Sequence, residues 1–273
     1  MSLVLPLKTQ NFIISSAARP PHALLLTGPV GSGLMTLAQL IASEWGSVLE
    51  IIRPESKTTG SVAGISVETI RMLYDRTRSK TAKAQIVIID DADTMNITAQ
   101  NAVLKLLEEP VINVHFILTS HRPDRLLATV RSRLQTYSVP PLDDTQSLDL
   151  IKSLGQIDKT KQRQILFASG GRPAEIARLS SDEKYFEELV GRMMQAREFI
   201  QGDSYNKLVI ISKFKDSRVA ALSFIETLLA VLRITLSSNS NDEAFELVDK
   251  LLVASDAIAA NGNIRLQLSA VVV

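Results

Sequence analysis

Apolar residues follow two regimes along this chain, and the regime changes near Pro140. Before that point, short unbroken apolar runs recur: Leu24-Leu25-Leu26, Val48-Leu49-Glu50-Ile51-Ile52, Ile86-Val87-Ile88-Ile89 and Phe116-Ile117-Leu118. None alternates with period two, so each reads as a strand buried on both faces. Helical periodicity fills the intervals, over 35–44, 67–78 and 99–108. Strands alternating with helices predict a parallel sheet covered on both sides. After Pro140-Pro141 the β-type runs stop. Short helices are expected over 143–154, 159–168 and 174–179, with Gly170-Gly171 breaking the last two apart. Longer amphipathic stretches follow over 186–200, 205–212, 218–236 and 242–260. In the third of these, Leu222, Ile225, Leu229 and Leu232 recur at helical spacing. No internal repeat and no low-complexity tract interrupts the pattern. The fold class is therefore α/β plus all-α, divided as an α/β domain over 1–140, a small helical domain over 141–181 and a helical C-terminal domain over 182–273.

Composition narrows the chemistry. At 273 residues the length alone predicts about two domains, and the pattern raises that to three. Charged residues make up 22% and hydrophobic ones 45%, with a formal net charge of +1. Residues 1–140 carry 14 basic and 11 acidic side chains, and the remainder 16 and 18. This balance excludes a strongly basic nucleic-acid coat and an acidic tail. Aromatics at 5% leave little for base-stacking platforms. Cysteine is absent, which excludes disulfides, thiolate catalysis and cysteine-based zinc. The three histidines, His22, His115 and His121, are dispersed, which argues against an imidazole metal site. No basic segment precedes the short apolar stretch of the first ten residues, and no apolar run reaches membrane-spanning length. A cytoplasmic location with no membrane partner is expected.

The first candidate site is Gly28-Pro29-Val30-Gly31-Ser32-Gly33-Leu34-Met35-Thr36, which follows a strand and opens a helix. That is the setting of a Walker A phosphate loop, in which glycines let backbone N–H groups turn toward phosphate and the helix dipole adds to the field. Gly28, Gly31 and Gly33 keep the scaffold. Leu34 stands where a lysine would reach the β- and γ-phosphates, Met35 stands where Ser or Thr would bind Mg²⁺, and Thr36 comes one place too late. Leucine supplies no counter-charge, so ATP is expected to bind weakly or not at all, and hydrolysis is not expected. A glycine turn with no nucleotide history fits the loop about equally well.

The second is Ile86-Val87-Ile88-Ile89-Asp90-Asp91-Ala92-Asp93. A buried strand ending in acids is the Walker B arrangement, with one carboxylate near Mg²⁺ and the next near the attacking water. The second acid, normally Glu, is here Asp91. Alone such a strand end is usually structural. About 57 residues after the glycine loop, in an alternating α/β chain, it is far more specific.

The residues after it carry a resemblance. Ala99-Gln100-Asn101-Ala102-Val103-Leu104-Lys105-Leu106-Leu107-Glu108-Glu109-Pro110, then Phe116-Ile117-Leu118-Thr119-Ser120, then Leu126-Leu127-Ala128-Thr129-Val130-Arg131-Ser132-Arg133-Leu134-Gln135, are similar to a bacterial DNA polymerase III clamp-loader subunit of the AAA+ class. Its pattern runs NALLKxLEEP, FILTT, LLPTIxSRCQ. His22 to Gly28 and Asn261 to Leu268 also resemble the family. The likeness is strongest over 86–135 and thin between 180 and 260. It implies an AAA+ parallel-sheet ATPase-type domain, a small helical lid and a C-terminal helical collar for oligomerisation. The broken phosphate loop points within the family to the delta-prime-like, non-hydrolysing kind. The implied partners are gamma/tau and delta subunits, a sliding clamp, and primed DNA reached through the assembly. The alternatives are an active gamma/tau-type ATPase, and an AAA+-derived adaptor outside replication. No zinc and no tightly bound cofactor are expected, since the four-cysteine module of many relatives is missing. The chain is also short for this kind, which implies trimmed collar helices.

The family's SRC motif carries an arginine finger that reaches the γ-phosphate held by a neighbouring subunit. Ser132-Arg133-Leu134 matches its first two residues, so the resemblance assigns that role in trans to Arg133, with Arg131 as the nearest rival. A guanidinium suits it, being permanently charged with a planar fork of donors. Without the family context, an arginine paired near a strand is the better reading. Thr119 and Ser120 fall where the family's sensor residue follows its strand, although a strand-end hydroxyl is more often a turn residue. Arg172 lies near the second sensor region, its role open. The basic run Arg71, Arg76, Arg78, Lys80 and Lys83 fits DNA backbone or a solvated face equally well. Glu108-Glu109-Pro110 reads as a structural helix end, and Trp45 and the methionines as core.

Overall fold

The computed structural model describes residues 4–55, 63–77, 83–108, 111–238 and 242–272. The chain forms two compact units, Met1–Ser181 and Asp182–Val273. In the first, β1 (Ala23–Thr27), β2 (Ser47–Ile52), β3 (Gln85–Ile89), β4 (Val114–Ser120) and β5 (Gln135–Ser138) form one sheet in the order β2-β3-β4-β1-β5. Every pairing is parallel. Around it lie α1 (Leu7–Ala18), α2 (Leu34–Trp45), α3 (Val67–Thr77), α4 (Ile97–Glu108) and the short α5 (Ala128–Arg131).

The unbroken apolar runs are explained by the two faces. Leu25, Val87, Ile89, Phe116 and Leu118 pack on Ile70, Leu73, Val103 and Leu106 of α3 and α4. The alternate residues Leu24, Leu26, Ile86, Ile88 and Ile117 pack on Ile13 of α1 and on Leu34, Leu37 and Ile41 of α2. Each such side chain contributes about 1.5–3 kcal/mol by leaving water. With both faces covered, ligand chemistry is left to the carboxyl ends of the strands. There β1 runs into Gly28, β3 into Asp90 and β4 into His121.

Two expectations need correction, and two elements carried no signal in the sequence. The run at 48–52 forms a strand, but an edge strand: Val48 and Leu49 are 42% and 36% exposed, and the pairing register skips Leu49 as in a bulge. A twisted, bulged edge resists pairing with other chains. β5 carries no apolar run, because it too is an edge and is largely exposed. α1 has no side-chain cap at Pro6 to announce it; it is held through Phe12, which stacks on Tyr137 at 3.9 Å. Trp45 and Met95 are core, but Met72 and Met194 are 55% and 63% exposed.

The first unit continues into α6 (Asp144–Leu154), α7 (Lys159–Ser169) and α8 (Pro173–Ser181). Asp143 and Gln146 make a reciprocal capping box at the start of α6, and Asp158 caps α7. Gly170, with φ 54°, ends α7 in the left-handed conformation.

The second unit consists of α9 (Glu183–Gln201), α10 (Ser204–Ser212), α11 (Arg218–Ser238), α12 (Asp242–Ala259) and α13 (Ile264–Ala270). Ile225 and Leu232 of α11 are buried in a cluster with Leu251 and Ile258 of α12, and Leu222 and Leu229 pack against it. Phe224 stacks on Phe214 at 4.3 Å and meets Phe199 edge-on at 5.8 Å. Among the described residues, no helix is long and apolar enough to cross a membrane.

Candidate functional site

The glycine loop and the acidic strand end come together, as their positions after β1 and β3 require. Gly31 and Gly33 have φ of 89° and 76°, a region where an L side chain is strained, so the turn depends on glycine there. The carbonyls of Gly28 to Gly31 are all held by donors from this chain. Gly28 accepts from His121 Nδ1 at 2.8 Å. Pro29 accepts from the backbone N–H of Ser32 at 3.1 Å and from its hydroxyl. Val30 accepts from Arg172 at 2.9 Å. Gly31 accepts from the backbone N–H groups of Ala174 and Glu175, at 2.9 and 3.2 Å.

Leu34 does not line this site. It is 2% exposed and packs into the sheet face beside Leu37 and Ile41. The side chain that should meet phosphate is a core residue instead. Met35 is half-buried against the same cluster and Thr36 is exposed.

The acids are likewise engaged internally. Thr119 donates its hydroxyl to Asp90 Oδ1 at 2.7 Å and accepts from the Asp91 N–H at 2.9 Å. Asp90 Oδ2 lies 4.0 Å from Arg53 Nε. Asp93 accepts from the Ser120 hydroxyl at 2.8 Å and the His121 N–H at 3.1 Å. Thr119 and Ser120 are thus part of the acidic site rather than simple turn residues.

His121 was not foreseen here. A carbonyl only accepts, so Nδ1 must carry the proton given to Gly28. Nε2 then faces Asp91 Oδ1 at 3.5 Å, and the contact is attractive only with a proton on one of them. Burial pushes the Asp91 carboxyl above its ordinary value; Asp90 adds to the rise, His121 opposes it, and Asp93 adds a smaller push. The imidazole ties the glycine loop to the acid. No periodicity or motif marks a lone histidine after a strand.

Arg172 is a staple. Its guanidinium donates to Ser169 at 2.6 Å, to Ala168 at 3.0 Å and to Val30, joining the C-terminus of α7 to the glycine loop. Beside it, Glu175 is 9% exposed, with a carboxylate oxygen 3.5 Å from where a side chain on Gly31 would begin. Leu34 thus leaves the loop without a cation at the position facing phosphate, and Glu175 sets an acid beside it. Among the described residues no group of three His, Asp or Glu is arranged to hold a metal ion.

Arg133 belongs to a second cluster, in the turn between α5 and β5. It pairs with Glu108 at 2.6 Å and donates to the Thr129 carbonyl at 2.8 Å, with its side chain 37% exposed. Arg131 pairs with Asp124 at 3.3 Å. Within the basic run, Arg76 is neutralised by Glu50 at 2.7 Å. Arg78 and Lys80, with Glu109 and Pro110, lie outside the described residues.

The sequence profile of the family described as DNA polymerase III, delta subunit, matches residues 41–143, a span that holds the acidic strand end and Arg133. DNA polymerase III subunit delta' of Pseudomonas aeruginosa is 30% identical over 193 residues, covering 61% of this chain and 58% of its own length. The chain is similar to the delta' subunits of DNA polymerase III. The corresponding subunit of Escherichia coli is 27% identical over 168 residues, 60% of this chain and 49% of the relative. The delta-prime-like chain thus spans only about half of the length of these curated relatives. In fold, it resembles the crystal structure of a DNA polymerase III gamma subunit-related protein from Thermotoga maritima, with a TM-score of 0.58, 19% identity and 97% of each chain covered. The resemblance read from the sequence and its fold class, a parallel sheet with added helical elements, are both borne out.

Proposed function

We propose that this chain is a non-hydrolysing, delta-prime-like subunit of a DNA polymerase III clamp loader. It stands beside an ATP-binding gamma/tau-type subunit and a delta subunit in the cytoplasm. The assembly places a sliding clamp on primed DNA. This subunit gives the assembly a fixed body and offers Arg133 to the nucleotide held by its neighbour. The observation that supports the reading is Leu34: the position that would offer a cation to phosphate is 2% exposed and committed to the core beside Leu37 and Ile41. Such a loop has no lysine to offer a triphosphate and a carboxylate at its mouth. Half-exposed, Arg133 is by contrast accessible to a partner. The reading as an active gamma/tau-type ATPase finds no support in that geometry.

Reconstitution with the gamma/tau-type and delta subunits of the same organism tests this. The three proteins should co-purify, and Arg133→Ala should lower ATP turnover at the neighbour's site, by an amount approaching the roughly 10³-fold lower end for arginine fingers. Failure to co-purify would point to an adaptor outside replication. Turnover that is unchanged by Arg133→Ala would remove the finger role.

A further inference from the structure

Glu108 ends α4, where the helix dipole disfavours a carboxylate. Helix stability therefore does not explain this residue, and its contact does. Its Oε1 lies 2.6 Å from an Nη of Arg133, a short charge-assisted pair. The other Nη donates to the Thr129 carbonyl at 2.8 Å. A guanidinium is planar, so a hydrogen bond at one terminal nitrogen and an ion pair at the other restrict both its direction and its plane. The rest of its N–H fork has no partner among the described residues. Side-chain exposures of 37% for Arg133 and 48% for Glu108 leave the pair open to an incoming anion.

We propose that Glu108 is a positioning residue for Arg133: it holds the guanidinium pre-aimed, with its remaining donors outward, so that a neighbour's phosphate meets an already oriented fork. The proposal rests on the trans-acting role of Arg133. It also explains the arrangement energetically. A part-exposed ion pair contributes little to folding, about 0–1 kcal/mol, so its value lies in orientation. An unrestrained arginine must instead give up rotamer freedom at the moment it engages, and small misplacements of such groups reduce rate steeply.

The test uses the reconstituted loader with four versions of this chain: wild type, Glu108→Gln, Arg133→Ala and the double variant. Glu108→Gln should lower kcat at the neighbour's site roughly tenfold, leave KM for ATP unchanged, and leave the Tm of the isolated chain unchanged. In the Arg133→Ala background the same substitution should have no further effect, since there is nothing left to aim. If Arg133→Ala lowers turnover but Glu108→Gln does not, the positioning role is wrong and the finger stands. A fall in turnover with Glu108→Gln that is equally large in the Arg133→Ala background shows a general structural role and also overturns the proposal. If Arg133→Ala itself changes nothing, the finger reading fails, and the positioning role fails with it.

Discussion

His121 and Asp91 show how single side chains tie a glycine loop to an acidic strand end. The imidazole holds the Gly28 carbonyl on one side and faces the Asp91 carboxylate on the other. Asp91 also has φ 48°, a left-handed backbone that Asp tolerates better than most residues. Because burial raises its carboxyl above 3.8, folding favours the protonated acid. Its stabilising contribution is present below 3.8 and lost as pH rises through the folded value. Asp91→Asn should therefore raise Tm slightly at neutral pH, with the gain vanishing in acid; a thermal melt series across pH measures it. The opposite sign applies to His22. Burial lowers its imidazole below 6.5, and its Nε2 has no partner among the described residues. The unfolded histidine takes up a proton that the folded one refuses. Stability present above 6.5 is thus lost as pH falls below it toward the folded value. His22→Gln should flatten the decline of Tm between about pH 7 and pH 5. At this scale the sequence revealed motif residues such as Asp90 and Arg133. It was silent about their partners, because His121, Glu108 and Glu175 meet them only through tertiary contacts far along the chain.

At the scale of elements, the loop from Gly28 to Gly33 and the start of α2 were legible as a turn that glycine permits and a helix that follows. What Leu34 does there was only half legible. The missing lysine was plain from the motif, but the packing of its replacement needed the sheet face on which α2 lies. Leu34→Ala should cost about 2–5 kcal/mol in a urea melt, as a core residue does and a solvent-facing loop residue does not. Arg172 joins α7 to the loop through three carbonyls, a function that no spacing announces. Arg172→Ala should speed amide hydrogen exchange over 28–34 and 159–181 while leaving the second unit unchanged. Helix starts were easier to read. Asp143 stands three residues before Gln146, the local pattern of a capping box, and Asp143→Ala should lower stability by about 1 kcal/mol. β5 and α1 were missed for a common reason. One is an exposed edge without an apolar run, and the other starts without a side-chain cap, so neither carries a local signal.

On the scale of the whole molecule, alternation of buried strands with helices was enough to give the parallel sheet, because a sheet covered on both faces leaves unbroken apolar runs that few other folds need. The helical remainder followed from the loss of those runs after Pro140. The sequence also located the site, since the carboxyl ends of neighbouring parallel strands must lie side by side. The loop there is fixed by donors from His121 and Arg172 and from the start of α8, none of which a linear pattern brings together. The central claim is that this chain binds no nucleotide, because the position that would offer a cation to phosphate is a core leucine. Calorimetric titration of ATP with Mg²⁺ into the isolated full-length chain tests it most directly. The account predicts no saturable binding up to about 1 mM nucleotide. Tight binding that is abolished by Asp90→Asn would contradict it.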